Sequence, residues 1–505
     1  MTQISRMTTD NPCKSVQSVS SVFPSTPAMK LILLLLFPIT LAAQTQRVTL
    51  DEVVELAKAQ SIAARRAATQ KQTNHWQYRT FLSDFKPQLS LNGTLPGFTR
   101  SFVEVQQPDG TIAFQPISNN NSLLNLALSQ NIALTGGTIF VQQQLQRFDD
   151  FERKNTLYNG IPFGIGLSQP LFRFNQLKWD RKTEPLRYEE GNQQAVEAME
   201  RVALNVTGLY FDLLVAQVNL QIAEVNRANN DTLLRVAREK QAMGRLSQND
   251  FLQLQLGFLT AKKDLASAQQ AAEVASLRLR MFVGSRDEQR LELVVPGEGA
   301  VVDVDLKKAI AEAFANRSDA IAFRRRTLEA ERDVDRAVKE NGFNASLNAS
   351  FGLTNRGARL TDVYLRPQDR QFVELQFTLP LMTWGRMQAR AETARANRRL
   401  TAQTVEQDKL TFEQEIYTQV TLLAMLRQQV TLTAEADRIA QERYQIAQNR
   451  FILSDLSVTD LGIATQEKDR ARRDAILALR DYWQAYYSLR LLTLYDFETN
   501  QKIQL

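Results

Sequence analysis

Two serine–acid pairs in the chain share one spacing. Ser247 stands three residues before Asp250 in Leu246-Ser247-Gln248-Asn249-Asp250, and Ser457 three before Asp460 in Leu456-Ser457-Val458-Thr459-Asp460. A hydroxyl followed by such an acid, ahead of a periodic apolar run, is the pattern of a helix start, with Ser as cap and the acid where the helix dipole favours it. Other chemistry has little to draw on. The single His, His75, lies in Asn74-His75-Trp76-Gln77, with neither a nucleophile elbow nor a second His one turn away, and reads as a helix-surface or barrel-neck residue. The single Cys, Cys13, falls in a segment read below as an export leader, so the mature chain has no thiol for disulfides, zinc, iron–sulfur clusters or catalysis. No catalytic residue, cofactor or metal site is expected.

The elements that position these pairs belong to a chain of 505 residues, 44% hydrophobic and 23% charged, a folded balance. A mean hydropathy of −0.30 excludes a polytopic helical membrane protein. The net charge is +6; removing Arg6, Lys14, Lys30 and Asp10 with the first 43 residues leaves +4, too weak a field to call for nucleic acid. Met29-Lys30 precedes an apolar run from Leu31 to Phe37 and the small residues ending at Ala43. This reads as a signal peptide over 1–43 with an over-extended start, and as an exported chain without a spanning helix.

The remainder is one plan written twice. Leu50 and Leu306 open similar helical runs, and Ser90-Leu91-Asn92 recurs as Ser346-Leu347-Asn348, both at an offset of 256. Pro170-Leu171 recurs as Pro380-Leu381, and the two serine–acid motifs match, both at an offset of 210. The repeats are read as 44–303 and 304–505, the first carrying 46 more residues between 94 and 170.

Each repeat begins with a short helix, about 50–80 and 305–340. Strands follow: Phe163, Ile165 and Leu167 alternate with Gly164, Gly166 and Ser168, and Val373, Leu375 and Phe377 with Glu374, Gln376 and Thr378. Apolar on one face and small or polar on the other suits a barrel with lipid outside and water inside, and equally a soluble sandwich. Long helices come next, from about 176 to 243 in the first repeat. Val202, Val206, Leu209, Leu213, Ala216 and Leu220 form a heptad seam, and Ile416, Val420, Leu423, Arg427 and Val430 keep its steps. Turns at Gly244 and at Leu453-Ser454-Asp455 lead into return helices, about 248–283 and 457–495. The extra residues supply a further hairpin over 123–148 about Thr135-Gly136-Gly137, and the polar stretch 106–122 reads as a surface loop.

This duplicated strand–hairpin order resembles the TolC-like outer membrane efflux protein family, over nearly all of the chain after the leader. Leu-Ser-Gln-Pro-Leu-Phe at 167–172 with Lys178-Trp179, Thr-Leu-Pro-Leu-Met-Thr-Trp-Gly at 378–385 and the two helix-turn tips carry the likeness. The resemblance implies an α+β membrane protein: a trimeric β-barrel with at least four strands per chain, continued by an α-helical tunnel across the periplasm. Three copies give about twelve strands, or about eighteen if the extra hairpin joins the wall. The resemblance further implies an outer-membrane duct that does no chemistry and works as a homotrimer with a periplasmic adaptor protein and an inner-membrane pump, for drug efflux, metal efflux or protein secretion. Carried over by motif, the closing and adaptor-docking tips are Gly244, Arg245, Leu246, Ser247 and Asp250, and Ser454, Asp455, Leu456, Ser457 and Asp460. Asp460 aligns with an aspartate that rings the aperture in relatives. The basic partner found in some of them is replaced by Leu456, with Arg245 or Arg450 as substitutes. An exported coiled-coil scaffold without a pore and a periplasmic enzyme are the competing readings.

Overall fold

The structure, a computed structural model, describes residues 46–285, 291–297, 303–453 and 455–504; the leader assigned to 1–43 lies outside them. The first half runs β1 (Gln46–Val48), α1 (Leu50–Gln60), α2 (Ile62–Ser83), β2 (Gln88–Thr94), β3 (Phe98–Gln106), β4 (Ile112–Ile132), β5 (Gly137–Asp150), β6 (Asn155–Leu171), α3 (Gln176–Ala242), α4 (Gln248–Val283) and β7 (Leu291–Leu293). The second runs α5 (Leu306–Asn316), α6 (Ser318–Glu340), β8 (Asn344–Gly357), a 3-10 turn (Leu360–Tyr364), β9 (Gln368–Thr378), α7 (Arg386–Ile452), α8 (Val458–Thr493), β10 (Tyr495–Asp496) and β11 (Gln501–Lys502). Both long helices have 67 residues and both return helices 36. At about 1.5 Å per residue each long helix reaches about 100 Å.

Each opening helix is in fact two. Ser61 ends α1, its N–H bonding Ala57 O at 3.0 Å, and caps α2, its Oγ accepting the Ala64 N–H at 3.1 Å. Arg317, in extended conformation, breaks the second copy at the corresponding place.

Seven strands form one antiparallel sheet in the order β2-β4-β5-β6-β8-β9, with β3 also on β4. β2 and β3 share a lane, β2 beside Leu123–Ser129 and β3 beside Ile112–Asn120, so the sheet has six lanes. The expected hairpin over 123–148 lies within it as β4 and β5, turning at Thr135-Gly136. The surface loop expected over 106–122 is corrected. Only a tight turn about Asp109 is loop, where the carboxylate accepts from the Thr111 N–H at 3.0 Å and Oγ1 at 2.7 Å; the rest is strand. Asn119-Asn120-Asn121 looks like loop because it is polar. Yet Asn120 accepts from the Gly97 N–H at 3.1 Å and donates to Asp149 at 2.8 Å, which locks it into the sheet.

The largest core joins the long helices to the short ones. Tyr210, Phe211, Leu213 and Leu214 of α3 pack with Ile416 and Leu423 of α7 and Tyr486 and Leu489 of α8. The buried stripe of α3 is wider than the heptad seam, because α1, α4, α6 and α8 all pack on it. One window of α3 is apolar enough to pass for a membrane span by length and composition, and half of it is buried in the protein. On α7 the seam passes through Leu426, which is buried, and not through Arg427, which is exposed. The Tyr210 hydroxyl donates to Val48 O at 3.2 Å and Val294 O at 2.5 Å, fastening α3 to the parallel pair of β1 and β7.

Glu200, 1% exposed, meets Lys58 at 2.7 Å and Arg490 at 3.3 Å, and Arg490 also bonds Asp496 at 3.1 Å. Three segments far apart in sequence therefore meet on one buried carboxylate. Burial opposes ionisation of Asp496, but Arg490 and the Tyr486 hydroxyl at 2.8 Å outweigh it and hold the carboxyl below its usual range.

Two outcomes follow. Glu200→Ala leaves two cations poorly compensated and should cost about 3–5 kcal/mol, seen as a lower thermal midpoint by circular dichroism. Because its folded pKa is depressed, Asp496 contributes stability that is full above about pH 4 and is lost as pH falls through the lower folded value. Asp496→Asn should therefore flatten the loss of thermal midpoint below about pH 4 relative to the parent; an unchanged acid limb would refute that linkage.

Candidate duct wall and hairpin tips

Opposed residues of an antiparallel ladder share a face, so the register sorts the wall directly. One face carries Leu89, Leu128, Val141, Ile165 and Phe351 in a single cross-strand row, with Leu91 and Leu126 beside it and Leu347 and Leu375 at the other end. Most of these stand exposed, Leu89 and Leu91 by more than 65%. The other face carries Ser90, Ala127, Gln142, Gly164, Gly352 and Arg370 in the adjacent row. A largely apolar face, interrupted by Gln143 and Gln371, and a small, polar opposite face suit lipid on one side and water on the other. On the polar face Phe140 lies over Gly166, where an added Cβ would come within 2.3 Å of the ring.

At the helix-side ends of the strands, exposed Leu134 stands on the β4–β5 turn and Phe172, Leu381 and Trp384 on the connections to α3 and α7, as a ring of interfacial side chains would. Asn175 fixes that joint. Its Oδ1 caps α3 through the Lys178 N–H at 3.0 Å, and its Nδ2 donates to Ala133 O at 3.0 Å in the β4–β5 turn. The Trp179 indole N–H donates to Asp335 at 2.8 Å, tying α3 to α6. The Asp335 carboxyl lies below its usual range: burial raises it, and the Trp179 and Lys339 hydrogen bonds more than offset this. His75 is exposed on α2, 3.4 Å from the Tyr188 hydroxyl.

At the far ends of the hairpins the serine–acid pairs are caps. Ser247 Oγ accepts the Asp250 N–H and Ser457 Oγ the Asp460 N–H, both at 3.1 Å, and Ser457 also bonds the Asp460 carboxylate at 2.7 Å. Gly244 takes φ +67, which closes the first tip with the Arg245 N–H on Lys240 O at 2.8 Å. The second tip closes with the Asp455 N–H on Arg450 O at 2.9 Å and an Arg450–Asp455 ion pair at 2.9 Å. Leu456 packs against Tyr444, Phe451 and Leu461, while Leu246 is half-buried; Ser454 lies outside the described residues. The tips are neighbours: the Lys240 ammonium sits 5.1 Å from the Phe451 ring centre and 3.4 Å from its carbonyl oxygen.

The sequence reading missed the groove, lined by polar and apolar side chains alike, that rises from the tips between α3, α4 and α8, about 830 Å³ in volume. In it Asn226 bonds Asp469 at 2.5 Å, Asn229 bonds the Tyr444 hydroxyl at 2.9 Å, and Lys468 pairs with Asp469 at 3.1 Å. The signal was available in Asn226, Asn229 and Asn230, polar residues one turn apart where the apolar stripe of α3 thins.

Residues 139–285 match the family model of outer membrane efflux proteins. No curated protein matches the sequence. Among solved structures, the Campylobacter jejuni CmeC outer membrane channel is 15% identical, covering 89% of this chain and 88% of its own, with a TM-score of 0.64. The open-state Neisseria gonorrhoeae MtrE outer membrane channel is 15% identical over 90% and 89% of the two chains, with a TM-score of 0.62. CusC is 16% identical over 88% and 91%, also with a TM-score of 0.62. At such identities the structures establish the shared fold.

Cysteines placed singly along β4 and β5 should report the two faces through a water-soluble maleimide in the membrane-embedded protein. Positions 125, 127, 142 and 144 should react and positions 126, 128, 139 and 141 should be protected. Uniform reactivity would contradict the wall.

Proposed function

We propose that this chain, an outer membrane efflux protein by its matched segment and a TolC-like channel by its fold, is the outer-membrane exit duct of a tripartite efflux or type I secretion system. One observation carries the reading: a sheet apolar on one face and polar on the other feeds directly into two 67-residue helices and their return helices. A pore-free coiled-coil scaffold gives no account of that exposed apolar face. Six lanes cannot close on themselves around a water-filled bore, and open edges are not tolerated in lipid, so the working form is a homotrimer.

The division into repeats 44–303 and 304–505 then has a purpose. Each repeat supplies part of the wall and one tunnel hairpin, so three chains line the tunnel with six hairpins. The duct is passive. A periplasmic adaptor engages the tips about Gly244, Arg245, Leu246, Asp455 and Leu456, together with the groove above them, and an inner-membrane pump supplies the work. Capping and gating coexist in the acids: under three-fold symmetry Asp460 and Asp250 each form a ring of three carboxylates, which attracts cations.

Light scattering of the detergent-solubilised protein, corrected for detergent, should give three chains; a monodisperse monomer with native secondary structure would sink the reading. In planar bilayers Asp460→Asn, and more weakly Asp250→Asn, should lower cation preference measured as reversal potential in a salt gradient. The Ser457 and Ser247 caps bond the backbone N–H of these positions and stay in place, so folding should survive. Unchanged selectivity in the double variant would make these acids caps alone.

A further inference from the structure

The free edges of the sheet are β2 and β9, which run in opposite directions because they are separated by an odd number of antiparallel steps. The hydrogen-bond ladder defines a line perpendicular to the strands through Gln88, Ser129, Phe140, Gly166, Ser350 and Phe372. On β2 this line passes through the helix-proximal end itself. On β9 it passes six residues above the helix-proximal end, Thr378. One chain therefore climbs by six residues across its six lanes. Resting on the trimer reading, and with the α2–β2 and β9–α7 joints set at one level where the helices leave the sheet, the next copy starts six residues below the line.

We propose that the three chains close an eighteen-stranded barrel through a β9–β2 seam in which Thr378 of one protomer faces Gln88 of the next and Phe372 faces Thr94. Three independent features agree with this register. The seven residues Gln88–Thr94 are all of β2, and they meet seven residues of β9. The faces match: Phe377 meets Leu89 and Leu375 meets Leu91 on the lipid side, while Gln376 meets Ser90 and Glu374 meets Asn92 on the water side. A slip of two residues that set Gln88 deeper would place it opposite Pro380, which lies beyond β9 and has no N–H to give. The total stagger of about eighteen residues over about eighteen strands gives a tilt of about 35°, within the range closed barrels adopt. A barrel of this strand number leaves an open aqueous bore.

The seam also explains the edge itself. Leu89, Leu91, Val373, Leu375 and Phe377 are exposed in one chain by 59–68%, and in the seam they continue the lipid-facing rows across the boundary without a break. The lumen row gains Glu374 beside an Asn of the neighbour, giving the bore a three-fold carboxylate set at the seam.

The test uses the full chain with Cys13→Ser as background. Leu91→Cys with Leu375→Cys, oxidised in membranes, should give a covalent trimer with dimer intermediates on denaturing gels, and neither single variant should. Ser90→Cys with Gln376→Cys probes the same register from the water side, in case the first pair disturbs the apolar face. Linkage of Leu91→Cys with Phe377→Cys, or of Leu89→Cys with Leu375→Cys, in preference to these pairs would overturn the register. Light scattering on the unlinked parent separates the two failures. A trimer in which neither proposed pair links refutes the seam and leaves the trimer standing, whereas a monomer refutes the trimer reading itself.

Discussion

Hydrocarbon offers no hydrogen-bond partner to a peptide group, and the rest of this architecture answers to that constraint. Within the chain every interior lane of the sheet is paired on both sides, including β4, which is long enough to hold β2 and β3 end to end on one edge and β5 on the other. Among the described residues only the outermost lanes lack a partner. Their apolar faces match the rest of the wall, which leaves two edges fit to pair with further copies. The same requirement explains why the additional hairpin lies inside the sheet. A two-stranded appendage in lipid would have created two more edges; inserted between β2 and β6, it widens the wall and adds none.

The wall would be of little use without a rigid joint to the helices. That joint is made by few residues with several bonds each. Asn175 binds the turn of the inserted hairpin with one side-chain atom and starts α3 with the other. Trp179 and Asp335 clamp the first-repeat long helix to the second-repeat short helix. Further along, Glu200 draws in Lys58 and Arg490. The Trp179–Asp335 and Glu200–Arg490 contacts tie the first half of the chain to the second.

The tips show how one set of residues meets two demands. Ser247 and Ser457 satisfy the first orphan N–H groups of the return helices, which any helix start needs. The acids that follow favour the helix dipole and, when repeated about a three-fold axis, concentrate negative charge. Lys240 against Phe451 then holds the two tips of a chain side by side. A charge set that serves the local fold is thereby available to an assembly at no extra cost in stability.

What was legible in the sequence was whatever depends on local periodicity. The 3.6- and 2-residue patterns, the capping serines and the Gly-Gly turn marked helices, strands and tips, and α3 and β5 lie close to where those signals put them. Where polarity masked the pattern, the reading failed: the first part of β4, paired with β3 beyond the apolar band, has no buried face to impose alternation, and the stretch 106–122 reads as a surface loop. The choice of Leu426 over Arg427 depends on which helix lies alongside, and no local pattern encodes that, whereas the Ser61 cap and the row of Asn226, Asn229 and Asn230 are local signals that went unused. The tertiary structure alone decided the number of lanes, the free edges and the buried partners of Glu200. Those are pairings between residues distant in sequence, set by how faces pack and by where the last unpaired strand must find its neighbour.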